Sequence, residues 1–382
     1  MAARGKYNVG IIGYGLSAKI FHIPFVNAVP DFNLYAIVQR RPKPDDDASK
    51  DWPNIKAYRS TEEMVNDDQV HVIVVTTAPE SHLELAKAAL LANKHGIHPF
   101  RHFYLNRSLF TNRLFKVVVE KPFTPTSAEA QELVDLAKAQ NKILTVYQNR
   151  RWDSDFLTLK KYIEDGTLGR IVEFETHFDR HRPEPPTDNW KAYHAPGTGA
   201  IYDLGTHLMD QVVCLFGMPK RVTGFVGSQR EVNTTGLEDS CTVLLHYDSP
   251  KMLVTVKAGV VSPEVNQLRY WVRGDKGSFK KFHLDPQEDQ LRKEGLRPGD
   301  KGYGIESEDN YGTLNVCKDG KVISQVAPTV EPATYTEYYR RLAAALSGDV
   351  SQVPVAPEQA VGVIRLVELA RESSQLGRTL SV

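Results

Sequence analysis

Apolar and polar positions alternate in two different ways along the chain. Over residues 1–147 short apolar runs alternate with segments whose apolar residues repeat at helical spacing. Alternating strands and helices of this kind predict a doubly wound domain with a parallel β-sheet. The apolar runs are YNVGIIG, NLYAIVQ, VHVIVV, VVV and ILTVY, and the helical segments are 16–29, 61–66, 81–94 and 127–140.

Local signals set several helix boundaries in this first part. Pro24 falls inside the first helical pattern, where it removes a backbone hydrogen bond, so we expect that helix to kink or break near His22. Three later helix starts have the spelling of a capping box: Ser60 with Glu63, Ser81 with Glu84, and Thr126 with Glu129.

The rhythm changes after Tyr147, and strand-like runs then follow one another. Consecutive strands with hairpin connections predict a second, α+β domain over 148–382 with an open, mostly antiparallel sheet. The strand-like runs are RIVEFETHF, RVTGFVG, CTVLLHY, MLVTVKAGV, QLRYWVRG and SFKKFHL, and helices are expected near 154–165, 199–215, 333–347 and 357–374.

Charge and cysteine usage narrow the class of partner. The 47 basic residues balance the 47 acidic ones, so we expect a small-molecule substrate and neither nucleic acid nor a membrane surface. Three isolated cysteines without a C-x-x-C pair fit a reducing compartment, and no run of about 18 apolar residues occurs, so the expected location is the cytoplasm. No metal site is predicted.

The stretch VGIIGYGLSA has the spacing of a dinucleotide-binding loop. Gly13 permits a tight turn, Gly15 lets the backbone approach a pyrophosphate, and Ala18 lets helix and strand pack closely. The alternative is a tight turn alone. The predicted cofactor loop comprises Gly13, Tyr14, Gly15, Leu16, Ser17 and Ala18.

The end of the second strand discriminates between the two nicotinamide dinucleotides. NAD enzymes usually carry an acid there, whereas this chain reads Gln39, Arg40 and Arg41. A guanidinium can hold a 2′-phosphate that an acid would repel, so NADP is expected over NAD. The alternative is two solvated arginines before the acidic loop PKPDDD.

Two further motifs carry candidate chemistry. The buried run VVV ends in Glu120 and Lys121, at the carboxyl edge where open α/β sheets bind ligands. In DLGTH, Asp203 and His207 stand at i and i+4, and a carboxylate can orient a histidine for proton transfer. The alternatives are a solvated loop start and a structural helix contact.

Taken in order, GIIGYGLSA, TTAPESH, VVVEKPF, VYQNRRW and GTGAIYDLGTHLMD make the chain similar to the Gfo/Idh/MocA oxidoreductases. The later stretch RYWVRGDKGSFKKFHLDPQEDQL resembles the branch that contains NADP-dependent scyllo-inositol dehydrogenase. The resemblance covers almost the whole chain. It implies a Rossmann domain, hydride transfer between NADP and a secondary alcohol or ketone of a cyclic polyol or sugar, and a homodimer or homotetramer.

The same resemblance implies roles for individual residues. Lys121 would reach the substrate hydroxyl, Asp203 would help bind it, and His207 would exchange its proton; whether Lys121 or His207 is the base stays open. Sugar 1-dehydrogenases, dicarbonyl reductases and inactive NADP-sensing transcriptional regulators are the alternatives on this scaffold. The residues expected to line the reactive end of the cofactor are Thr76, Thr77, Pro79, His82 and Glu120.

Two segments are harder to assign. Arg150, Arg151 and Trp152, just past the domain junction, either contact substrate or connect the domains. Residues 96–116 exceed the connection of about 2 to 6 residues expected between a helix and a strand here, and we expect a surface excursion without a catalytic role; the alternative is a lid over the site. Its histidines lack a carboxylate or cysteine partner for a metal.

Overall fold

The computed structural model describes residues 6–92, 116–185, 194–233 and 236–382. The expected excursion therefore lies outside the described residues, except for Lys116, which already belongs to a strand. The chain divides into two compact units. The first unit combines Met1–Glu120, Gln131–Tyr147 and Tyr339–Pro357, and the second combines Lys121–Ala130, Gln148–Tyr338 and Glu358–Val382.

The first unit is built on a six-stranded parallel sheet, which confirms the predicted Rossmann fold. The strand order is 3-2-1-4-5-6, the order of doubly wound dinucleotide-binding domains. The strands are β1 (Tyr7–Ile12), β2 (Phe32–Val38), β3 (Lys56–Tyr58), β4 (Val72–Val75), β5 (Lys116–Val119) and β6 (Leu144–Val146).

The central strands are apolar because both faces of this sheet are covered. The four residues of β4 are fully buried, as are Val117, Val118 and Val119 of β5. A polar side chain within these strands would therefore lose its hydration, and charges are placed where the strands end.

The helices in chain order are α1 (Ile23–Ala28), α2 (Ala48–Asp51), α3 (Thr61–Val65), α4 (His82–Leu91), α5 (Ser127–Ala139), α6 (Ser154–Glu164), α7 (Thr206–Phe216), α8 (Gln287–Asp289), α9 (Thr336–Leu346) and α10 (Pro357–Leu376). Within the described ranges, none of them combines the length and the apolar character needed to span a bilayer.

Local signals predicted most of the helix starts. The first helical segment breaks at His22, where a π turn over Ala18–His22 gives way to α1 with Pro24 in its first turn, as expected. The capping box of Ser60 and Glu63 is confirmed. The one expected at Ser81 is wrong, because that hydroxyl lies in a 3₁₀ turn and donates to the carbonyl of Ala78.

The second unit is built on a nine-stranded sheet. Its strands are β7 (Ile171–Asp179), β8 (Arg221–Gly227), β9 (Ser240–Asp248), β10 (Lys251–Gly259), β11 (Leu268–Gly274), β12 (Gly277–Phe282), β13 (Gly312–Lys318), β14 (Lys321–Ala327) and β15 (Leu380–Ser381). The sheet is antiparallel apart from the pairing of β7 with β10, which confirms the predicted class. The β13–β14 hairpin was not predicted, because β14 is exposed at six of its seven positions and shows no apolar alternation.

One face of this sheet packs against helices and forms the core of the second unit. Phe174 of β7 and Val254 of β10 are fully buried with Leu208 of α7 and Val367 of α10. Helix α10 approaches β8 very closely, because a Cβ built on Gly224 would lie 2.0 Å from the carbonyl oxygen of Ala370. Only glycine fits at that crossing.

This crossing gives a stability prediction with a control in the same strand. We expect Gly224→Ala to destabilise the protein by about 1–3 kcal/mol, because the methyl group must displace helix backbone. Gly227→Ala should change stability by less than about 0.5 kcal/mol, since nothing lies within 4 Å of its Cβ position. Urea unfolding followed by circular dichroism measures both, and equal midpoints for the two variants would contradict the packing argument.

Candidate active site

The glycine loop of the first unit has the geometry that a bound dinucleotide requires. Gly13 has φ of +105°, and a Cβ there would lie 2.8 Å from Thr76 Oγ1, so only glycine is accommodated. At Gly15 a Cβ would meet nothing within 4 Å, which leaves the loop backbone open to a ligand. Ala18 is fully buried, as close packing of the helix requires. These residues fit a pyrophosphate.

Side chains of the loop are held from several directions. The hydroxyl of Tyr14 donates to Asp51 at 2.7 Å and accepts from the indole N–H of Trp52 at 3.1 Å. Leu16 is 56% exposed, although it is a large apolar residue. Tyr14 therefore anchors the loop to the segment after β2, and Leu16 presents an apolar surface beside the open backbone.

The three residues after β2 that were expected to select the cofactor have different environments. Gln39 is buried, donating to the carbonyl of Asp46 at 2.7 Å and accepting from the N–H of Ala48 at 2.8 Å. Arg40 and Arg41 are exposed, and no hydrogen bond or ion pair joins their side chains to other described residues. Gln39 thus shapes the following loop, whereas the two guanidinium groups stand available to an anion.

The predicted residues after β4 stabilise the strand end and the start of α4. Thr76 donates its hydroxyl to the carbonyl of Ile12 at 3.0 Å, and Pro79 opens the 3₁₀ turn over Pro79–Ser81. The hydroxyls of Thr77 and Ser81 are 2.7 Å apart. His82 is fully buried with Nε2 3.0 Å from the carbonyl oxygen of Thr77. Each of these contacts shapes the edge of the sheet next to the glycine loop.

Glu120 is the centre of a buried hydrogen-bond chain that the sequence motifs did not reveal. Its Oε1 accepts a short hydrogen bond from the Ser17 hydroxyl and lies 2.9 Å from His22 Nε2. On the other side, His22 Nδ1 lies 2.7 Å from the Tyr339 hydroxyl. Because a carboxylate only accepts, Nε2 is the donor, and in a neutral imidazole Nδ1 then accepts from the phenol. The chain joins the glycine loop to the end of β5.

In the sequence, the helix break predicted at His22 was the feature that could have pointed to this hydrogen-bond chain. The wide π turn over Ala18–His22 rotates the histidine relative to a regular helix, and such turns are frequent at functional sites. Tyr339, however, lies 317 residues along the chain from His22, and no local pattern connects the two.

In the second unit, Lys121 and Asp203, which come from two motifs far apart in the sequence, lie together. Lys121 Nζ donates to Asp203 Oδ1 at 3.1 Å and to the Asp203 backbone carbonyl at 2.9 Å. The two side chains retain 18% and 22% exposure, so the pair is sheltered but accessible. A sheltered ammonium next to a carboxylate can donate to a substrate oxygen.

The turns that carry this pair are tied to each other. Asp203 lies in a π turn over Ile201–Gly205 instead of the regular helix expected for DLGTH, and α7 begins at the next residue. The hydroxyl of Tyr202 donates to the carbonyl of Pro125 at 2.7 Å, four residues beyond Lys121. This bond fixes the Lys121 segment against the turn that contains Asp203.

His207 lies in the first turn of α7 and is buried, with 6% exposure. Its ring centroid is 6.5 Å from that of Phe178, and the planes are inclined by 31°. The guanidinium carbons of Arg150 and Arg180 lie 4.8 Å and 4.5 Å from the same phenyl centroid. Phe178 and Arg180 were not predicted, since Phe178 lies in a strand that reads as an ordinary run and Arg180 follows that strand outside any motif.

The three residues expected to contact substrate or connect the domains are all buried. Arg151 forms a bidentate pair with Asp210, at 2.7 Å and 2.8 Å, and also donates to Gln359 at 2.9 Å. Trp152 packs edge to face on Tyr338. These partners all belong to the second unit, and the polar interactions of Arg150 are likewise formed there, with Asp153 and Glu288.

Comparison with known proteins matches both units to one family. The model of the oxidoreductase family NAD-binding Rossmann fold matches residues 7–98 and 96–148. The model of the same family's C-terminal alpha/beta domain matches residues 160–382.

Individual relatives extend over nearly the whole chain. An uncharacterized oxidoreductase of Schizosaccharomyces pombe is 39% identical over 96% of both chains. The scyllo-inositol 2-dehydrogenase (NADP(+)) IolW of Bacillus subtilis is 35% identical over 97% of this chain and 95% of its own. The solved structure of the putative oxidoreductase YvaA from Bacillus subtilis has a TM-score of 0.86, 34% identity and 99% coverage of both chains. The chain therefore belongs to the Gfo/Idh/MocA oxidoreductase family.

Proposed function

We propose that the protein transfers hydride between NADP and a secondary alcohol or ketone of a cyclic polyol or sugar, with scyllo-inositol as the reference substrate. The observation that carries this proposal is the Lys121–Asp203 pair, which is sheltered and still accessible, and whose lysine stands two residues after the end of β5 in the sequence. The similarity to IolW, which is named as acting on scyllo-inositol with NADP(+), supports the substrate class.

The proposed chemistry needs two functions from the protein. Oxidation of an alcohol requires a group that removes the hydroxyl proton and a cation that stabilises the developing alkoxide. Lys121 supplies the cation at the substrate oxygen, with Asp203 orienting it through the bond at Nζ. His207 exchanges the proton. When bound, the nicotinamide supplies the hydride acceptor.

The cofactor would be held by the first unit. Backbone at Gly13 and Gly15 would receive the pyrophosphate, since the loop is open there and a helix start favours an anion. Arg40 and Arg41 would bind the 2′-phosphate, because both are exposed and their side chains have no acceptor among the described residues. Glu120 would keep the end of β5 in register with the loop through Ser17.

The first test is a cofactor-reduction assay with purified protein over a panel of inositols and aldoses. We expect reduction of NADP with scyllo-inositol or a close cyclic polyol, and about 10- to 100-fold lower kcat/KM with NAD, the range set by charged hydrogen bonds to one phosphate. Tight NADP binding without turnover of any polyol or sugar would instead support the sensor alternative.

Removing the ammonium tests the role of Lys121. Lys121→Ala should lower kcat by about 10²- to 10⁴-fold, as expected for a positioned group that stabilises the developing alkoxide and supports the proton transfer. Lys160→Ala is the control, because that lysine is on the surface and pairs only loosely with Glu164 at 3.7 Å. A loss below tenfold for Lys121→Ala, with unchanged NADP affinity, would assign Lys121 to structure.

Charge reversal at Arg40 tests the choice of cofactor. Arg40→Asp should weaken NADP binding by about 10- to 100-fold while changing NAD binding by less than about twofold, since only NADP carries the 2′-phosphate. Fluorescence titration measures both affinities, and Arg378→Asp serves as the matched change at another exposed arginine. Equal weakening of both cofactors would refute the 2′-phosphate assignment.

A further inference from the structure

Arg180 follows the last residue of β7 and has a fixed backbone. Its N–H donates to the carbonyl of Gly259 at 2.9 Å, and its own carbonyl accepts from the N–H of Ser262 at 3.0 Å. The side chain therefore leaves the sheet from a defined point at the ends of β7 and β10.

The guanidinium of Arg180 lies in the neighbourhood of the proposed proton-exchange residue. It rests 4.5 Å from the centroid of Phe178, within the range of a cation–π contact. The ring of His207 is 6.5 Å from the same centroid. Phe178 is thus the common support for one guanidinium and one imidazole of the second unit.

Arg150 also lies on the Phe178 ring, but it differs from Arg180 in its polar partners. Arg150 is bonded to Asp153 and Glu288, so its charge is matched by two carboxylates. Across the described ranges, the Arg180 guanidinium makes no hydrogen bond and no ion pair. An arginine that only completes the fold is expected to be paired as Arg150 is.

The side chain of Arg180 is partly buried. Burial lowers the pKa of its guanidinium, and the carboxylates of Glu288 and Asp203 oppose that change. Since its five N–H donors have no protein acceptor among the described residues, a bound ligand that accepts from them gains affinity.

We propose that Arg180 is a substrate-binding residue that determines specificity by donating two hydrogen bonds to a pair of adjacent hydroxyl oxygens, a vicinal diol, away from the reacting carbon. This inference rests on the function proposed above. The planar fork of a guanidinium spans two neighbouring oxygen atoms, which a single ammonium cannot do with the same geometry.

A neutral diol fits the electrostatics better than a carboxylate does. Burial raises the pKa of Glu288, but Arg150, Arg180 and Arg292 together outweigh that effect and lower it to about 2, so the carboxylate stays ionised. Around Arg180 the carboxylates of Glu288 and Asp203 already balance the charges of Arg150 and Arg182, so the site does not need an anionic ligand. Hydroxyl oxygens satisfy the donors without adding a charge.

The test combines a change in the protein with a change in the substrate. Arg180→Met keeps an apolar stem on Phe178 but removes the donors, Arg180→Lys keeps the charge but not the fork, and Arg378→Met is the control at an exposed arginine. Each protein is assayed with NADP and scyllo-inositol, with a monodeoxy-inositol that lacks one hydroxyl of the diol, and with a uronate. NADP affinity and thermal midpoint are measured in parallel.

We expect Arg180→Met to lower kcat/KM for scyllo-inositol by about 10- to 100-fold, chiefly through KM, with NADP affinity and the midpoint unchanged. The wild type should discriminate between scyllo-inositol and at least one monodeoxy isomer, and Arg180→Met should lose that discrimination, because the two changes remove the same bond. The kcat/KM of Arg180→Lys for scyllo-inositol should lie between those of the wild type and of Arg180→Met.

Several results would overturn the inference. An active wild type with an equally active Arg180→Met variant removes Arg180 from substrate binding, and a parallel loss of NADP affinity or of thermal stability makes it structural. If the wild type prefers the uronate more than tenfold and Arg180→Met does not, the group that Arg180 binds is an anion and not a diol. A wild type inactive on every polyol and sugar overturns the proposed function, and this inference with it.

Discussion

The peptide bond between Glu120 and Lys121 is the covalent constraint shared by two hydrogen-bonded groups, one in each unit. It is the point at which the chain leaves the first unit and enters the second. Consecutive Cα atoms are held about 3.8 Å apart, so the acid that contacts the glycine loop and the lysine that contacts Asp203 have a fixed covalent spacing. The buried strand β5 is followed by two charged residues, and each has its own partner: Glu120 accepts from Ser17 in the first unit, and Lys121 donates to Asp203 in the second.

Both sides of that bond are held by hydrogen bonds from remote parts of the chain. Glu120 is bound by Ser17 and by His22, whose other nitrogen contacts Tyr339. Lys121 is bound twice by Asp203. Buried polar chains of this kind fix orientation because every alternative conformation leaves a donor or acceptor unsatisfied. The candidate groups are thus positioned by their partners and not only by the strand that precedes them.

Sequence patterns predicted whatever depends on neighbours along the chain. The rotation of strands and helices gave the sheet of the first unit, and Pro24 gave the break at His22. The turn at Gly13 could also be predicted locally, since a backbone position with positive φ favours glycine. The π turn at Asp203 and the hairpin at β14 were missed, because one departs from helical period without a distinctive residue and the other has almost no buried face.

Contacts across the chain were beyond prediction, and Arg180 shows why. The residue follows a strand-like run and belongs to no motif. Its interest comes from what surrounds it: a ring shared with Arg150 and His207, and the absence of an acceptor within the described ranges. Spacing along the sequence carries none of this, since Arg150 and Glu288 are separated by 138 residues.

The buried charges behind this ring follow from the same requirement for geometry. Asp153 is fully buried, and burial with neighbouring Asp285 raises its pKa although Arg150 acts in the opposite direction. Such pairs give little net stability, because desolvation offsets much of their attraction. What they do provide is a single orientation for Arg150, and Phe178 packs against that guanidinium. The ring beside His207 and Arg180 is therefore held on its Arg150 side by a group that the network prevents from moving.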